Sequence, residues 1–134
     1  MNSEQLQHID KIRNVIKASG YSGGEVNLDY PAKPNIPLVD TNSVLSYSLI
    51  RGDVLPVRLS YKGMNIGDEI LFYFGGATPG LADYEHRFTL ADGREAHLDV
   101  PKLSPKKLIN LQAFAVYFVN NTLPSNVNYF EVTE

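Results

Sequence analysis

The sequence contains no cysteine, which excludes a disulfide framework, a thiolate nucleophile and any Cys-ligated zinc or iron–sulfur site. It also lacks a run of 18 apolar residues, so no segment is suited to cross a membrane as a helix, and no membrane insertion is expected. Glu4, Asp10, Lys11, Arg13 and Lys17 interrupt the first 20 residues, so no cleavable secretory signal is legible there. The expectation is a chain that stays in the cytoplasm or is exported by a signal-independent route. Positive charge is not in excess either: 12 basic against 15 acidic side chains leave a formal charge of -3, which argues against nucleic acid as a partner. What remains is 134 residues, 43% of them apolar. That length suggests one domain, large enough to bury a core without disulfide or metal.

Leu6, Ile9, Ile12, Val15 and Ile16 recur every three or four residues and predict an amphipathic helix over residues 3 to 18, capped by Asn2 or Ser3. Gly20, Gly23 and Gly24 end it. Pro31, Pro34 and Pro37 then keep residues 21 to 42 out of regular pairing; this stretch reads as a tether, with room for a short strand at Val26 to Tyr30.

From residue 43 the apolar period changes to two. Leu45, Tyr47 and Leu49 form one alternating set, Leu55, Val57 and Leu59 a second, and Ala96, Leu98 and Val100 a third. Further strands are expected at 69–75, 84–90, 112–119 and 127–133. Ser104 and Pro105 mark the start of a short helix over Lys106 to Asn110. About seven short strands with little helix between them predict an immunoglobulin-like antiparallel β-sandwich over residues 43 to 134, preceded by the helix and the tether.

Two of these strands, Ile70 to Phe74 and Ala113 to Val119, are apolar on both faces. Shared parity places Leu55, Val57, Leu59, Ile70, Phe72, Phe74, Leu98, Val100, Ala115 and Tyr117 between the sheets. The opposite parity leaves a second apolar patch of Leu71, Tyr73, Phe114, Val116 and Phe118. Such a patch needs a cover or a partner. The N-terminal helix can supply the cover through Leu6, Ile9, Ile12 and Ile16, docking on its own sheet or, by exchange, on that of a second copy.

The run from Tyr61 through Gly63-Met64 and Gly67-Asp68 to Phe74-Gly75 resembles a signature of immunoglobulin-like repeats in large exported or surface proteins of Gram-negative bacteria. Val100-Pro101, the short helical turn after it and the strand ending Tyr117-Phe118-Val119 resemble the later half of the same repeats. The resemblance covers about residues 54 to 134. It implies a sandwich fold and a role as spacer, adhesive tip or binding module. Phe74 stands where tryptophan is expected in those repeats.

Motifs that suggest chemistry have structural readings beside them. Gly20-Tyr21-Ser22-Gly23-Gly24 spells a nucleophile elbow, but a helix precedes the serine where a strand is required. Gly75 to Gly80 lacks the Lys-Ser/Thr of a phosphate loop and reads as a flexible connection. Glu95, His97 and Asp99 share one strand face, as metal ligands or as a solvated surface. His86 alternates with Phe88 and Leu90, as expected of a half-buried, hydrogen-bonded histidine. Arg51-Gly52-Asp53 is explained by a hairpin turn. Asn120, Asn121, Ser125, Asn126 and Asn128 form an amide-rich stretch that could bind calcium or a sugar, and that equally suits turns. Tyr84, Tyr117 and Tyr129 could stack on a sugar ring. No catalytic constellation emerges, and no cofactor is implied. The expected function is a non-enzymatic binding or assembly module that takes a protein partner or self-associates, the alternative being a small lectin that binds glycan through the end loops.

Overall fold

Alternating side chains resolve into strands because one face of each can be buried while the other stays wet. The computed structural model describes residues 1–19 and 26–134. Helix α1 (Ser3–Ser19) is followed by β1 (Val44–Ser46), β2 (Val54–Leu59), β3 (Glu69–Gly76), β4 (Tyr84–Thr89), β5 (Ala96–Pro101), a short helix α2 (Leu103–Lys106), β6 (Gln112–Val119) and β7 (Asn128–Thr133). Five strands form one sheet in the order β1-β7-β6-β3-β4, and β2 pairs with β5 in the other. All pairings are antiparallel except β1 with β7. The fold is mainly β, a seven-stranded immunoglobulin-like sandwich behind an N-terminal helix.

All ten residues expected between the sheets are buried in one cluster. The register explains it: Leu55, Val57 and Leu59 lie opposite Val100, Leu98 and Ala96, so one parity lines the inner face of this sheet. Ile70, Phe72 and Phe74 of β3 meet Val119, Tyr117 and Ala115 of β6 on the facing layer.

Several local expectations give way to tertiary constraints. The strand expected through Leu49 stops at Ser46 and passes into a 3-10 turn, Tyr47–Leu49. Arg51-Gly52-Asp53 does not close a hairpin, because β1 and β2 belong to different sheets; it is an exposed bend between layers. The short helix starts at Leu103, ahead of Ser104, and Lys102 at its N-cap makes no side-chain cap. Gly75 and Gly76 belong to β3 and not to a loop. Val26 to Tyr30 forms a turn, not a strand. Residues 26–42 are no slack tether: Ile36 is buried, Asn35 exchanges two 2.8 Å backbone hydrogen bonds with Arg58, and the Tyr117 hydroxyl donates to the Ala32 carbonyl.

The second apolar patch is covered by the chain itself. Leu71, Tyr73, Phe114, Val116 and Phe118 form one buried cluster with Ile9, Ile12 and Ile16 of α1 and with Tyr129. As an interaction surface for another molecule, that patch is therefore taken. The helix is rotated from the expected stripe: Leu6 stays 49% exposed, while Gln5 and Arg13 are buried. Gln5 reciprocates a cap with Asn2, each backbone N–H bonding the other's side-chain oxygen at 2.8 and 2.9 Å.

Arg13 is held by four acceptor atoms through its Nε and Nη2. Its Nε donates to the Gly76 carbonyl (3.1 Å), and Nη2 donates to the Tyr73 hydroxyl and to both Asp83 oxygens at 3.0 Å. The Tyr73 hydroxyl donates to Asp83 Oδ2 at 2.6 Å. The guanidinium lies 5.7 and 5.8 Å from the ring centroids of Tyr73 and Phe114. Burial, and then the bond to Asp83, push the Tyr73 hydroxyl pKa up to about 12. Glycine makes room for this cluster, since a Cβ on Gly75 would sit 2.8 Å from Asp83 Oδ1 and push that carboxylate aside. Arg13→Ala removes the cation that pairs with Asp83 and bonds Tyr73, leaving Asp83 only its neutral donors Tyr73 and Gly80, and should cost about 2 kcal/mol or more in chemical denaturation, discounted for the partial exposure of Asp83. Arg13→Met with Asp83→Asn should recover part of that loss.

Candidate functional site

The amide-rich stretch is committed to holding the fold. Asn120 and Asn121 take left-handed backbone angles (φ 51° and 56°), a conformation asparagine tolerates. Asn120 Oδ1 accepts from the Glu69 N–H at 2.8 Å and its Nδ2 donates to Asp68 at 3.2 Å. Asn121 Oδ1 accepts from Gln5. Buried Ser125 Oγ accepts from the Tyr117 N–H (3.0 Å) and donates to the Asn126 carbonyl (2.9 Å). Asn126 accepts from the Asn27 N–H and donates to the Asn27 and Pro31 carbonyls; buried Asn128 donates to the Pro34 carbonyl. These side chains tie the 26–35 segment and the helix start to the sandwich instead of converging on a ligand. Tyr117 and Tyr129 are buried and share no exposed face with Tyr84, so the three rings do not form a platform.

Two clefts flank the 26–31 segment. One, of about 840 Å³, is lined by His8, Val15, Tyr30, Asn126 and Tyr129 among others; the second, of about 620 Å³, by Tyr61, Asp68, Asn120 and Leu123 among others. Tyr61 donates to Asp68 Oδ2 at 2.6 Å, and this bond, followed by the Asn65 N–H, holds the Asp68 carboxyl below its ordinary range. Ser22 lies outside the described residues. His97 and Asp99 are exposed on β5 and Glu95 is exposed just before it, with His97 Nε2 2.6 Å from Glu95 Oε1. Among the described residues no three His, Asp or Glu side chains gather as metal ligands.

The surface that the fold leaves open is the edge of β4. This strand ends the five-stranded sheet, and its residues are half-buried or exposed throughout. His86 is exposed, not half-buried as expected. Its ring is stacked between Tyr84 (6.3 Å) and Phe88 (5.3 Å), so the three form a continuous row on the inner side of the sheet. Glu85 and Arg87 project from the other side, 3.9 Å apart. The backbone phase is set at the strand's end. Leu90 donates to the Asp68 carbonyl and accepts from the Gly67 N–H, both at 2.9 Å. Residues of the same parity, Phe88, His86 and Tyr84, therefore turn their amides toward β3, and Glu85, Arg87 and Thr89 turn theirs outward. Among the described residues nothing pairs with that edge. Sequence reasoning found the strand but not its edge position, and the only signal it carried was aromatic and charged residues alternating where a buried strand would be apolar.

Other edges are less available. β1 is bridged through Leu45 by Val39, and β2 through Arg58 by Asn35. β5 also ends a sheet, but its exposed residues are His97, Asp99 and Pro101, with no tyrosine or phenylalanine among them.

Two measurements test these assignments. Asn126→Ala removes three side-chain hydrogen bonds to the 26–31 segment and should cost about 1 to 2 kcal/mol in denaturant unfolding, with faster hydrogen exchange at Asn27. His8 is half-buried, and burial, followed by the charge of Lys11, lowers its pKa below the ordinary 6.5. The unfolded chain then takes the proton first, so stability is full above pH 6.5 and falls as pH drops through that value. Asp68, lowered from 3.8, acts only in more acidic solution. The thermal midpoint should fall between about pH 7 and 5.5, and His8→Gln should flatten that slope.

No helix among the described residues is long and apolar enough to cross a membrane. Comparison with protein-family models finds no match, and comparison with curated proteins finds none. Among solved structures, the chain is similar to the sensor domain of the anti-sigma factor RsgI4 of Pseudobacteroides cellulosolvens. The identity is 12% and the TM-score 0.41, over 60% of this chain and 78% of that one. A likeness of that size carries no argument about function.

Proposed function

We propose that the chain is a non-enzymatic binding module that associates with protein by accepting an extended strand along β4. The observation that carries this reading is the open edge, where the outward backbone of Glu85, Arg87 and Thr89 lies beside the stacked row of Tyr84, His86 and Phe88. An unpaired edge is a template for strand addition: main-chain hydrogen bonds supply affinity, and alternate side chains supply selectivity. β4 carries no proline or lysine to blunt its edge, and its two charges, Glu85 and Arg87, are of opposite sign and lie 3.9 Å apart. Two other surfaces that the sequence suggested are used internally, the apolar patch by α1 and the amide-rich loop by the 26–35 segment. The resemblance of residues 54 to 134 to bacterial immunoglobulin-like repeats supports a module of this class.

The test uses Arg87→Pro, which deletes an outward N–H and leaves the β3 ladder intact, since proline is tolerated at sheet edges. Arg87→Ala keeps the N–H and serves as the control. Extended peptides selected from a random library against the parent chain should bind the alanine variant comparably and the proline variant at least about tenfold more weakly. Selection of no peptide, or equal binding to both variants, overturns the reading.

A further inference from the structure

Resting on that reading of β4 as the associating edge, we propose that its partner is a second copy of this chain. β4 pairs antiparallel with β4 about a two-fold axis through His86, joining two five-stranded sheets into one of ten strands.

The argument is one of register. Only Glu85, Arg87 and Thr89 turn their amides outward, so an antiparallel copy must pair odd residues with odd. Glu85 opposite Glu85, or Arg87 opposite Arg87, would set like charges face to face, which disfavours those registers. Arg87 opposite Thr89 sets no opposite charges against each other across the edge. Glu85 opposite Arg87 of the second copy pairs all of them. The two-fold axis repeats this hydrogen-bonded pair, giving four backbone bonds and two ion pairs across the edge.

In the same register Tyr84 faces Phe88 of the second copy, twice, and His86 faces His86. The stacked rows of both copies then merge along one face, and aromatic pairs directly opposite one another are favourable cross-strand neighbours. A segment whose charges and rings both complement themselves when reversed suits an isologous contact, in which one patch serves both partners. Glu85 and Arg87 pair with each other at 3.9 Å, and Glu85 with the Met1 ammonium at 3.9 Å, but side-chain exposures of 39% and 56% let both reach across the edge as well.

Because the chain has no cysteine, single-cysteine variants report the register directly. The two His86 positions form a non-hydrogen-bonded pair with Cα atoms about 4.5 Å apart, within disulfide reach. The two Thr89 positions lie six residues out of step, about 20 Å apart. Under mild oxidation His86→Cys should cross-link rapidly to dimer in the otherwise native full chain, and Thr89→Cys should not. By sedimentation, Glu85→Arg and Arg87→Glu should each weaken dimerisation about tenfold or more, and the double exchange should restore it. Because Glu85 and Arg87 also pair within one chain at 3.9 Å, the thermal midpoint of each variant is measured alongside: dimerisation lost and regained at an unchanged midpoint supports the proposal, and a midpoint that moves in step with it overturns it. Equal cross-linking at positions 86 and 89, or single exchanges without effect, overturns the proposal. A chain that stays monomeric yet still binds selected peptides along β4 refutes the second copy as partner and leaves the edge reading intact.

Discussion

The structure depends on two strands that cannot leave either face in water. β3 and β6 are neighbours, and both are buried along almost their whole length. Their inner parity is covered by the β2–β5 sheet, and their outer parity by α1. Each side chain so covered contributes roughly 1.5 to 3 kcal/mol before ordering entropy is subtracted. The helix is thus the third layer of a three-layer domain, and its apolar stripe and the outer face of the sheet account for one another.

Apolar contact alone would let the helix slide, because it has no direction. Arg13 supplies the direction. Its donors meet a carbonyl, a hydroxyl and a carboxylate at the end of β3 and the turn after it, and burying the guanidinium costs heavily in any other position. Its pKa is raised although burial opposes this, because Tyr73 and Asp83 outweigh the desolvation. Gly75 and Gly76 make room: a Cβ at the first would collide with Asp83, and one at the second would lie 2.6 Å from Leu108.

The two sheets are unequal, five strands against two, so the smaller cannot cover the whole inner face of the larger. The shortfall lies at β4, whose inner row is only half-buried at Tyr84 and Phe88 and exposed at His86, although each faces a buried β3 residue. The exposed aromatic row follows from this mismatch in size. At the opposite edge, residues 35–39 close the sandwich by bridging β1 and β2, and the segment leading into them is held by Asn126 at Pro31 and Asn128 at Pro34.

Period and parity were enough to place the strands, the ten inward residues, the doubly apolar pair and the helix that covers it, because side-chain direction in a strand follows from the chain alone. They could not place what depends on a neighbour distant in sequence. Leu6 is left exposed and Arg13 is buried because a polar cluster at the sheet's end outweighs a regular apolar stripe. The bend at Arg51-Gly52-Asp53 is no hairpin because β1 pairs with the last strand instead of the next one. The asparagines of residues 120–128 have local reasons to turn, but their partners lie 51 to 116 residues away. The edge position of β4 is of the same kind: alternation specifies a strand, and only the assembled sheet decides which strand is left with an open side.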